Sequence, residues 1–462
     1  MNRVLLTGAQ VITMAHDRPD AESIDILIES DRIVAIGAEL DSSDAEIIDL
    51  RGRIVIPGLV NAHLHTWQTA LRCVGAGWTL LDYLSNMHGG VASHYTPEDM
   101  RIAALAGALN QLNCGVTTLG DWCHNTQRPE HAVEAVEGLV ESGIRAVFMH
   151  GTPHAAADAP HPLKEVDALL NGPVRRHPLL TLGMAIKGPQ YSTPKVAVGD
   201  FRAADERGLV VSMHQSGGRP GAAWEAVRDA GMIGPRTNVV HGADLSDQWL
   251  KTLVDAGATF TITPENELGQ GHGVPITGRL LKLGVAPSLG TDVETAVSGE
   301  LLIAARVALA HQRGLDHQTQ RQATGTASPK ATISSKQALS WVTVEGARAM
   351  GLPDRVGRLL PGMQADLVVI DATALNLWPA HDPLAAALHA SIANVEAVMV
   401  AGQWRKRDHQ LLDVDLDSVR GRLLASGERL VHQLNKPGIL AGVRRHVVRR
   451  VVHQRLAQQA RG

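Results

Sequence analysis

The sequence predicts an α/β protein built on a (β/α)8 TIM barrel, with a small β-sandwich formed by both ends of the chain. Three observations support this prediction. Short apolar runs recur through the middle of the chain with helix-like segments between them. Several of these runs begin with Gly directly after a helix-like segment, which is a common way for a helix to stop before the next strand. The two ends of the chain instead alternate apolar and polar residues, as antiparallel strands do.

Eight apolar runs occur in the middle of the chain, each rich in Val, Ile, Leu, Ala or Thr. Eight buried strands that alternate with helices are typical of a barrel. In order, the runs are GRIVIPGLVNAHLH, CGVTTLGDW, GIRAVFMHG, LLTLGMAIKG, GLVVSMHQ, TNVVHG, GATFTITPE and GVAPSLGTD.

The pattern divides the chain into three parts. Residues 1–55 and 357–415 are predicted to form the composite β-sandwich, and residues 56–356 the barrel. Residues 416–462 are predicted to form a basic helical tail, which we interpret as a solvent-facing or oligomer-contact helix. Residues 314–337 are polar and rich in Ser, Thr and Gln, so we expect a mobile loop there.

Composition argues against several classes of function. The chain has 462 residues, 44% hydrophobic and 19% charged, with a formal net charge of -4. This balance argues against nucleic acid or an anionic membrane as the main partner. Three cysteines fit a reducing compartment, and neither a signal peptide pattern nor a membrane-spanning apolar run is visible. We therefore expect a cytoplasmic homo-oligomer that acts on a small molecule.

Polar residues stand where several of the predicted strands end. His63 and His65 close the first strand, and residues two apart on a strand point to the same side. All strands of a barrel end on one face, so residues far apart in sequence meet there. One histidine at a strand end is more often a hydrogen-bonded core residue than a ligand, but coincidence explains a convergence poorly. Imidazole and carboxylate bind zinc and similar ions well. The predicted metal-site residues are His63, His65, Lys187, His214, His241 and Asp292.

These motifs resemble the amidohydrolase superfamily. PGLVNAHLHTW, the HG of the sixth strand and the LGTD of the eighth carry the resemblance, which covers nearly the whole chain. Within the superfamily the chain looks most like the branch of triazine hydrolases and cytosine deaminases. HTWQTALR and TPENELGQGHGVP look like the sub-group that holds molinate hydrolase and phenylurea hydrolase. The resemblance implies a hydrolase with His63, His65, His214 and Asp292 at the metal and His241 close to the bound water.

One departure from that branch concerns the reaction. Its deaminases usually carry Glu three residues after the fifth-strand His, where this chain has Gly217. Attack on an aromatic ring carbon needs a proton delivered to the ring nitrogen, whereas a metal can polarise a carbonyl oxygen directly. The missing Glu favours cleavage of a C–N or C–S bond in a urea, carbamate, thiocarbamate or amide. The alternative is an aminohydrolase of a purine, pyrimidine or triazine, with Glu265 or Glu267 replacing the missing acid from another direction.

The second departure is Lys187 on the fourth strand, where deaminases of the branch tend to place His. In superfamily members with two metals a Lys here is carboxylated and bridges the ions, whereas a plain ammonium would line the pocket of a single metal. The expected cofactor is therefore one or two divalent ions, zinc first and cobalt, iron or manganese as alternatives, with a carboxylated Lys187 in the two-metal case.

Catalytic and substrate-binding roles complete the prediction. Asp292 is expected to bind the metal and take the proton of the attacking water, and His241 to position the nucleophile or stabilise the tetrahedral oxygen. A non-catalytic scaffold on this fold is a weaker alternative, because a scaffold should have lost ligands and none is missing. The candidate substrate-binding residues, each equally explicable as packing, are Trp122, His124, Tyr191 and His272.

Overall fold

Seven strands precede the barrel and lie in two sheets. The computed structural model describes residues 3–153, 156–215 and 220–436. The sheet formed by β5, β4, β1 and β6 has four strands, whereas β7, β2 and β3 form one side of a seven-stranded sheet. These strands are β1 (Arg3–Thr7), β2 (Gln10–Val11), β3 (Glu22–Ser23), β4 (Asp25–Glu29), β5 (Arg32–Gly37), β6 (Glu46–Asp49) and β7 (Arg53–Pro57).

Eight parallel strands follow in sequential order and form the barrel, which confirms the predicted fold class. The first and last of them close the barrel through the backbone of two predicted ligands. The Asp292 amide donates to the His63 carbonyl (3.0 Å), and the His65 amide donates to the Asp292 carbonyl (2.8 Å). The strands are β8 (Leu59–Leu64), β9 (Val116–Cys123), β10 (Arg145–Gly151), β11 (Leu180–Ala185), β12 (Val210–Gln215), β13 (Thr237–His241), β14 (Thr259–Ile262) and β15 (Ser288–Leu289).

Helices alternate with these strands and begin and end at the expected signals. The hydroxyls of Thr96, Thr193 and Ser246 accept backbone N–H groups at the start of their helices. Gly143 ends the third helix with a φ of 73°. The helices are α1 (Leu80–Tyr83), α2 (Pro97–Asn113), α3 (Pro129–Ser142), α4 (Leu163–Leu169), α5 (Pro194–Glu206), α6 (Ala222–Asp229), α7 (Asp247–Asp255), α8 (Pro264–Gln270), α9 (Thr277–Lys282), α10 (Leu301–Thr324), α11 (Ser335–Trp341), α12 (Val344–Ala349), α13 (Pro383–His389) and α14 (Leu416–Asn435).

Two segments differ from their predictions. The prediction of a loop over residues 314–337 is wrong for residues 314–324, because α10 continues to Thr324. Its polar residues occupy an exposed helix, and Gln and Arg are good helix formers. The predicted tail begins as α14, but this helix packs on α2 of the same chain, where Ser426 Oγ donates to Asp99 Oδ1 (2.7 Å). Residues 437–462, with the basic motif, lie outside the described residues.

Four strands near the end of the chain complete the seven-stranded sheet. Strand β16 pairs antiparallel with β7, so both chain ends share this sheet. Apolar side chains of the two sheets, among them Val4, Ile26, Val55 and Leu367, form one buried core. The boundaries 1–55 and 357–415 stay a prediction. The four strands are β16 (Leu367–Asp371), β17 (Val395–Val400), β18 (Gln403–Arg407) and β19 (Gln410–Leu411).

A buried ion pair joins the barrel to this sheet. Arg145, the first residue of β10, donates from Nε to Asp366 Oδ2 (2.8 Å) and from Nη2 to Asp366 Oδ1 (2.9 Å). Both side chains are 1% exposed. The pair lies at the N-terminal ends of the barrel strands, opposite the ends where active sites form.

None of the helices in the described ranges is both long enough and apolar enough to cross a bilayer.

Candidate metal centre

Four of the predicted ligands converge at the C-terminal ends of the barrel strands. His214 Nε2 lies 3.3 Å from His63 Nε2. Asp292 Oδ1 lies 3.3 Å from His63 Nε2 and 3.4 Å from His65 Nε2. Tetrahedral zinc with bonds of about 2.0–2.1 Å places neighbouring ligand atoms roughly 3.3–3.4 Å apart. His63, His65 and His214 can therefore hold one divalent ion such as zinc, with Asp292 beside His63 and His65.

The protonation states of the three histidines suit a metal. Burial lowers the pKa of His63 and His214, and lowers the pKa of His65 to about 3. These imidazoles are neutral at neutral pH, which is the form that binds metals. His65 Nδ1 lies 2.6 Å from the Trp122 carbonyl, which can only accept, so Nδ1 carries the proton and Nε2 is the free donor atom.

Asp292 supplies the negative charge of the set. Burial alone would raise its pKa, but the hydrogen bond with His63 and the charge of His241 hold the Asp292 pKa well below its usual range. Three neutral nitrogens and one carboxylate carry a net charge of -1, which a divalent cation overcompensates. The carboxylate therefore makes the site electrostatically suited to a cation rather than to a neutral ligand.

The backbone around the cluster is constrained. The backbone of His241 and Asp292 is left-handed, with φ of 69° and 62°. Residues other than Gly and Asn rarely adopt this conformation. Such conformations cost energy and cluster at functional sites. Gly290 allows β15 to approach β8, because a Cβ there would lie 2.5 Å from the His63 carbonyl oxygen. The LGTD motif thus fixes both the approach of the strand and the direction of Asp292.

His241 lies beside the four ligands rather than among them. Its Nε2 is 3.9 Å from Asp292 Oδ2, and its Nδ1 is 3.0 Å from Glu267 Oε1. Burial lowers the pKa of His241, but the hydrogen bond to Glu267 and the charge of Asp292 raise it by more. Glu267 is wholly buried on α8. The sequence analysis offered Glu265 or Glu267 only as a less favoured replacement for the missing acid; the structure places Glu267 beside Nδ1 of His241.

Two further residues near α8 contact Asp292 and were not predicted. Asn266 Nδ2 donates to Asp292 Oδ2 (2.5 Å), and the Thr263 hydroxyl donates to the same oxygen (3.3 Å). The signal that pointed to them was the polar stretch TPENE directly after the seventh strand. Glu265, also in this stretch, has its pKa raised by burial and by the charge of Glu300, and it makes no hydrogen bond with the cluster in the described parts of the chain.

The structure does not bring Lys187 to the other predicted ligands. Its Nζ donates to the carbonyls of Ala156 (2.6 Å) and Ala159 (2.7 Å) in the loop after β10. Its neighbouring charges are Asp200 and Asp158, and burial lowers its pKa. Within the described ranges Lys187 forms no ion pair or hydrogen bond with the metal cluster. Two carbonyl acceptors stabilise an ammonium group and cannot donate to a carbamate, so the geometry does not support a bridging Lys187.

Three of the four predicted substrate-binding residues contact the cluster. The Trp122 ring lies 4.2 Å from that of His214, measured between centroids, and its indole N–H donates to Ser212. The rings of His124 and His65 are 4.4 Å apart, and those of His272 and His241 are 4.6 Å apart. Tyr191 is different, because it lies 41% exposed on the loop after β11. Gly217, where the branch has Glu, lies outside the described residues.

An aromatic wall beside His124 contains a residue that the sequence reasoning missed. His88 ends a π-helical turn, Leu84–His88, and its Nε2 lies 3.1 Å from His124 Nε2. Tyr83 and Trp67 pack against His88, with ring centroids 5.4 and 5.9 Å away. Single-turn π-helices are frequent at functional sites. Sequence offers no strand-end signal for His88, because it lies in the long connection after the first barrel strand.

Comparisons with known proteins agree with this geometry. Residues 54–405 match the model of the amidohydrolase family. A 5-methylthioadenosine/S-adenosylhomocysteine deaminase of Nitratidesulfovibrio vulgaris is 26% identical over 438 residues, which cover 91% of this chain and 96% of the relative. Two zinc-containing crystal structures share the fold. Atrazine chlorohydrolase from Arthrobacter aurescens TC1 has a TM-score of 0.78 at 21% identity, covering 92% of this chain and 100% of its own. An adenosine deaminase from Xanthomonas campestris has a TM-score of 0.78 at 20% identity, covering 93% and 98%.

Proposed function

The chain belongs to the amidohydrolase family, and from this premise we propose that it is an aminohydrolase that uses one divalent metal, zinc, to remove an amino group from a nitrogen heterocycle. Family membership confirms the resemblance seen in the sequence. It also makes the chain a metal-dependent enzyme that acts on carbon–nitrogen bonds other than peptide bonds. The relatives named as deaminases support a purine-type ring better than the urea or carbamate that the sequence favoured.

The observation that carries the proposal is the donor set of three neutral imidazoles and one carboxylate. The three imidazole nitrogens lie within 4.8 Å of one another, and Asp292 Oδ1 lies within 3.4 Å of two of them. A second ion would need an anionic bridging ligand. Lys187, the candidate for that bridge, binds loop carbonyls instead. The proposal is therefore a mononuclear site.

The residues of the site have different chemical roles. When bound, the metal would lower the pKa of a water molecule and polarise the bond under attack. His63, His65, His214 and Asp292 would hold that metal. Beside that metal, Asp292 and His241 are the two candidate groups for accepting a proton from the attacking water.

The aromatic wall supports a flat heterocyclic substrate. His124 packs against His65, and Trp67 and His88 pack against His124. Tyr83 packs against His88. Aromatic side chains bury a flat ring with favourable stacked or edge-to-face geometry. The imidazoles of His88 and His124 can in addition donate to or accept from ring nitrogens.

A second candidate is hydrolysis of a urea, carbamate or thiocarbamate carbonyl, as in a phenylurea hydrolase. The specific observation in its favour is Gly217, where deaminases of the branch usually have the Glu that protonates the ring. Carbonyl hydrolysis does not require that acid, because the metal can polarise the carbonyl oxygen. This argument comes from the sequence alone.

One assay separates the two candidates. The zinc-loaded protein is incubated with adenine nucleosides, amino-triazines, N-aryl ureas and thiocarbamates, and released ammonia and released aryl or alkyl amines are quantified separately. We expect ammonia from at least one heterocycle, and no turnover by a matched His65→Ala protein. Amine release from ureas or thiocarbamates without ammonia from heterocycles would replace the proposal by the second candidate. Metal analysis should give one ion per chain; two ions would contradict the mononuclear site.

A further inference from the structure

The first turn of α8 and the residue before it, Thr263, contact both Asp292 and His241. Thr263 and Asn266 donate to Asp292 Oδ2, and Glu267 accepts from His241 Nδ1. The Thr263 backbone amide donates to the same Glu267 oxygen (2.9 Å), so this carboxylate is itself fixed. One short helical turn therefore determines the orientation of Asp292 and His241 together.

Glu267 determines which nitrogen of His241 faces the reaction. A carboxylate can only accept a hydrogen bond, so Nδ1 must carry the proton in the 3.0 Å contact. Nε2 of the neutral ring is then an unprotonated acceptor, and it is the nitrogen that lies towards Asp292 (3.9 Å). A histidine oriented by a buried carboxylate in this way is a common form of general base.

Asp292 is held differently. Its Oδ1 lies within 3.4 Å of His63 and His65, which is the position of a metal ligand. Its Oδ2 already accepts from the Asn266 amide and the Thr263 hydroxyl. Hydrogen bonds that stabilise the charged form make a carboxylate a weaker proton acceptor. Both oxygens of Asp292 are thus occupied, whereas His241 Nε2 is directed towards the reaction.

From these contacts we infer that Glu267 is the positioning residue that makes His241 Nε2 the proton acceptor and donor of the reaction. Asn266 and Thr263 stabilise the charged form of Asp292, which acts as a metal ligand. The inference rests on the proposed function and adds the route of the proton. Water gives a proton to His241 Nε2 as its oxygen bonds to the ring carbon, so the ring becomes an imidazolium paired with Glu267. Nε2 then gives that proton to the ring nitrogen and the imidazole is neutral again. The hydroxyl proton of the tetrahedral centre then reaches the departing amino group through the same nitrogen. The C–N bond breaks, ammonia leaves, and the ring keeps a carbonyl.

The test compares three variants of α8 in the zinc-loaded, full-length protein. Glu267→Leu removes the carboxylate that accepts from Nδ1 and leaves the Thr263 hydroxyl oxygen, 3.3 Å from Nδ1, as a weaker acceptor. Glu267→Gln keeps an acceptor oxygen without the charge. Glu265→Gln is the matched control, because it changes a buried carboxyl of the same helix that has Glu300 and Arg306 as charged neighbours. Zinc content and thermal unfolding are measured for each variant, so that loss of metal or fold is detected directly.

The first readout needs no substrate. In protein labelled with 15N-histidine, two-bond ring correlations report which nitrogen of each imidazole is protonated, and the His241 signals are those lost in His241→Asn. We expect the Nδ1–H form in the parent, in Glu267→Gln and in Glu265→Gln, and a shift to Nε2–H or a mixture in Glu267→Leu. An Nε2–H form in the parent, or an unchanged Glu267→Leu spectrum, would overturn the inference even if no substrate had been found.

The second readout is the split between kcat and KM on the substrate identified by the panel. We expect Glu267→Leu to lower kcat about 10–100-fold with KM and zinc content unchanged, which is the usual range for a residue that orients a metal-site group. Glu267→Gln should recover part of that loss, and Glu265→Gln should match the parent. Parent-like kcat in Glu267→Leu, or a loss that follows zinc or unfolding, would assign Glu267 a structural role and contradict the inference.

Discussion

The two ends of the barrel each bury a polar centre, and the two centres are built on opposite principles. At the N-terminal end Arg145 and Asp366 pair opposite charges through two parallel hydrogen bonds. At the C-terminal end His63, His65 and His214 bring like groups together around the single carboxylate of Asp292. The first arrangement satisfies its own charges, whereas the second leaves donor atoms facing one another.

The difference separates stability from function within one fold. A bidentate ion pair between two parts of the chain fixes their relative position, and nothing further has to bind. Neutral imidazoles at contact distance stabilise one another little, so a bound cation is needed to stabilise such a cluster. Changes at the two ends should therefore have different consequences, one for the free energy of unfolding and the other for metal content and rate.

The largest effect is expected from His65→Ala. Removing one of the four metal donors should abolish turnover and most zinc binding, while the fold persists because the barrel core carries the stability. Metal analysis, the substrate assay and thermal unfolding of the metal-free protein measure the three quantities. A fully active, zinc-replete His65→Ala protein would disprove the assignment of the site.

The second largest effect is expected at the N-terminal end of the barrel, from Asp366→Ala. The change leaves the Arg145 guanidinium buried without its partner, and breaking a buried pair in this way costs about 3–5 kcal/mol. Urea denaturation should show this loss, while the folded fraction keeps its zinc content and its kcat. A stability within 1 kcal/mol of the parent, allowing for that method's error of about 10–15%, would show that the pair does not hold the sandwich to the barrel.

A smaller change at the catalytic end is Asp292→Asn. The amide keeps an oxygen near the metal but removes the negative charge of the donor set, so some zinc should remain. We expect a rate loss of at least about a hundredfold, the scale of removing one group that stabilises charge at the reaction centre, because Asp292 is a ligand of the metal that activates the water. Steady-state rates of the zinc-loaded variant measure this loss. A milder loss would show that His241 and Glu267 support the reaction without the negative charge of Asp292.

The smallest effect is expected from Lys187→Ala. Its hydrogen bonds reach loop carbonyls, so the zinc count should stay the same and the stability should fall by about 1 kcal/mol, the typical worth of a hydrogen bond. Metal analysis of parent and variant is the measurement. A drop of one ion per chain would restore Lys187 as a bridging ligand and give the site a second metal.

The sequence predicted the positions that follow from the strand pattern alone. His63, His65, His214 and Asp292 stand at strand ends, and in a barrel a strand end determines the face on which a side chain lies. Lys187 shows the limit of this rule. It stands two residues beyond the end of β11, and its long side chain reaches the loop after β10 instead. Asp292 stands three residues beyond β15, but its backbone hydrogen bonds with His63 and His65 hold it at the barrel.

The partners supplied by helices were harder to predict. Thr263, Asn266 and Glu267 reach the site only because α8 begins directly after β14 and points its first turn across the barrel mouth. That direction depends on tertiary packing, which periodicity does not report. His88 is a similar case, because a π-helical turn presents it from a connection without strand signals.

The pairing of β7 with β16 also constrains how the protein is made. Strand β7 leaves the ribosome early, but its partner β16 lies about 300 residues further on, so at ordinary elongation rates β7 waits roughly 15–60 s for its neighbour. During that time its apolar residues Ile54, Val55 and Ile56 form an unpaired edge that can template aggregation. We therefore expect a circularly permuted gene that brings β16 next to β7 to express with less aggregation.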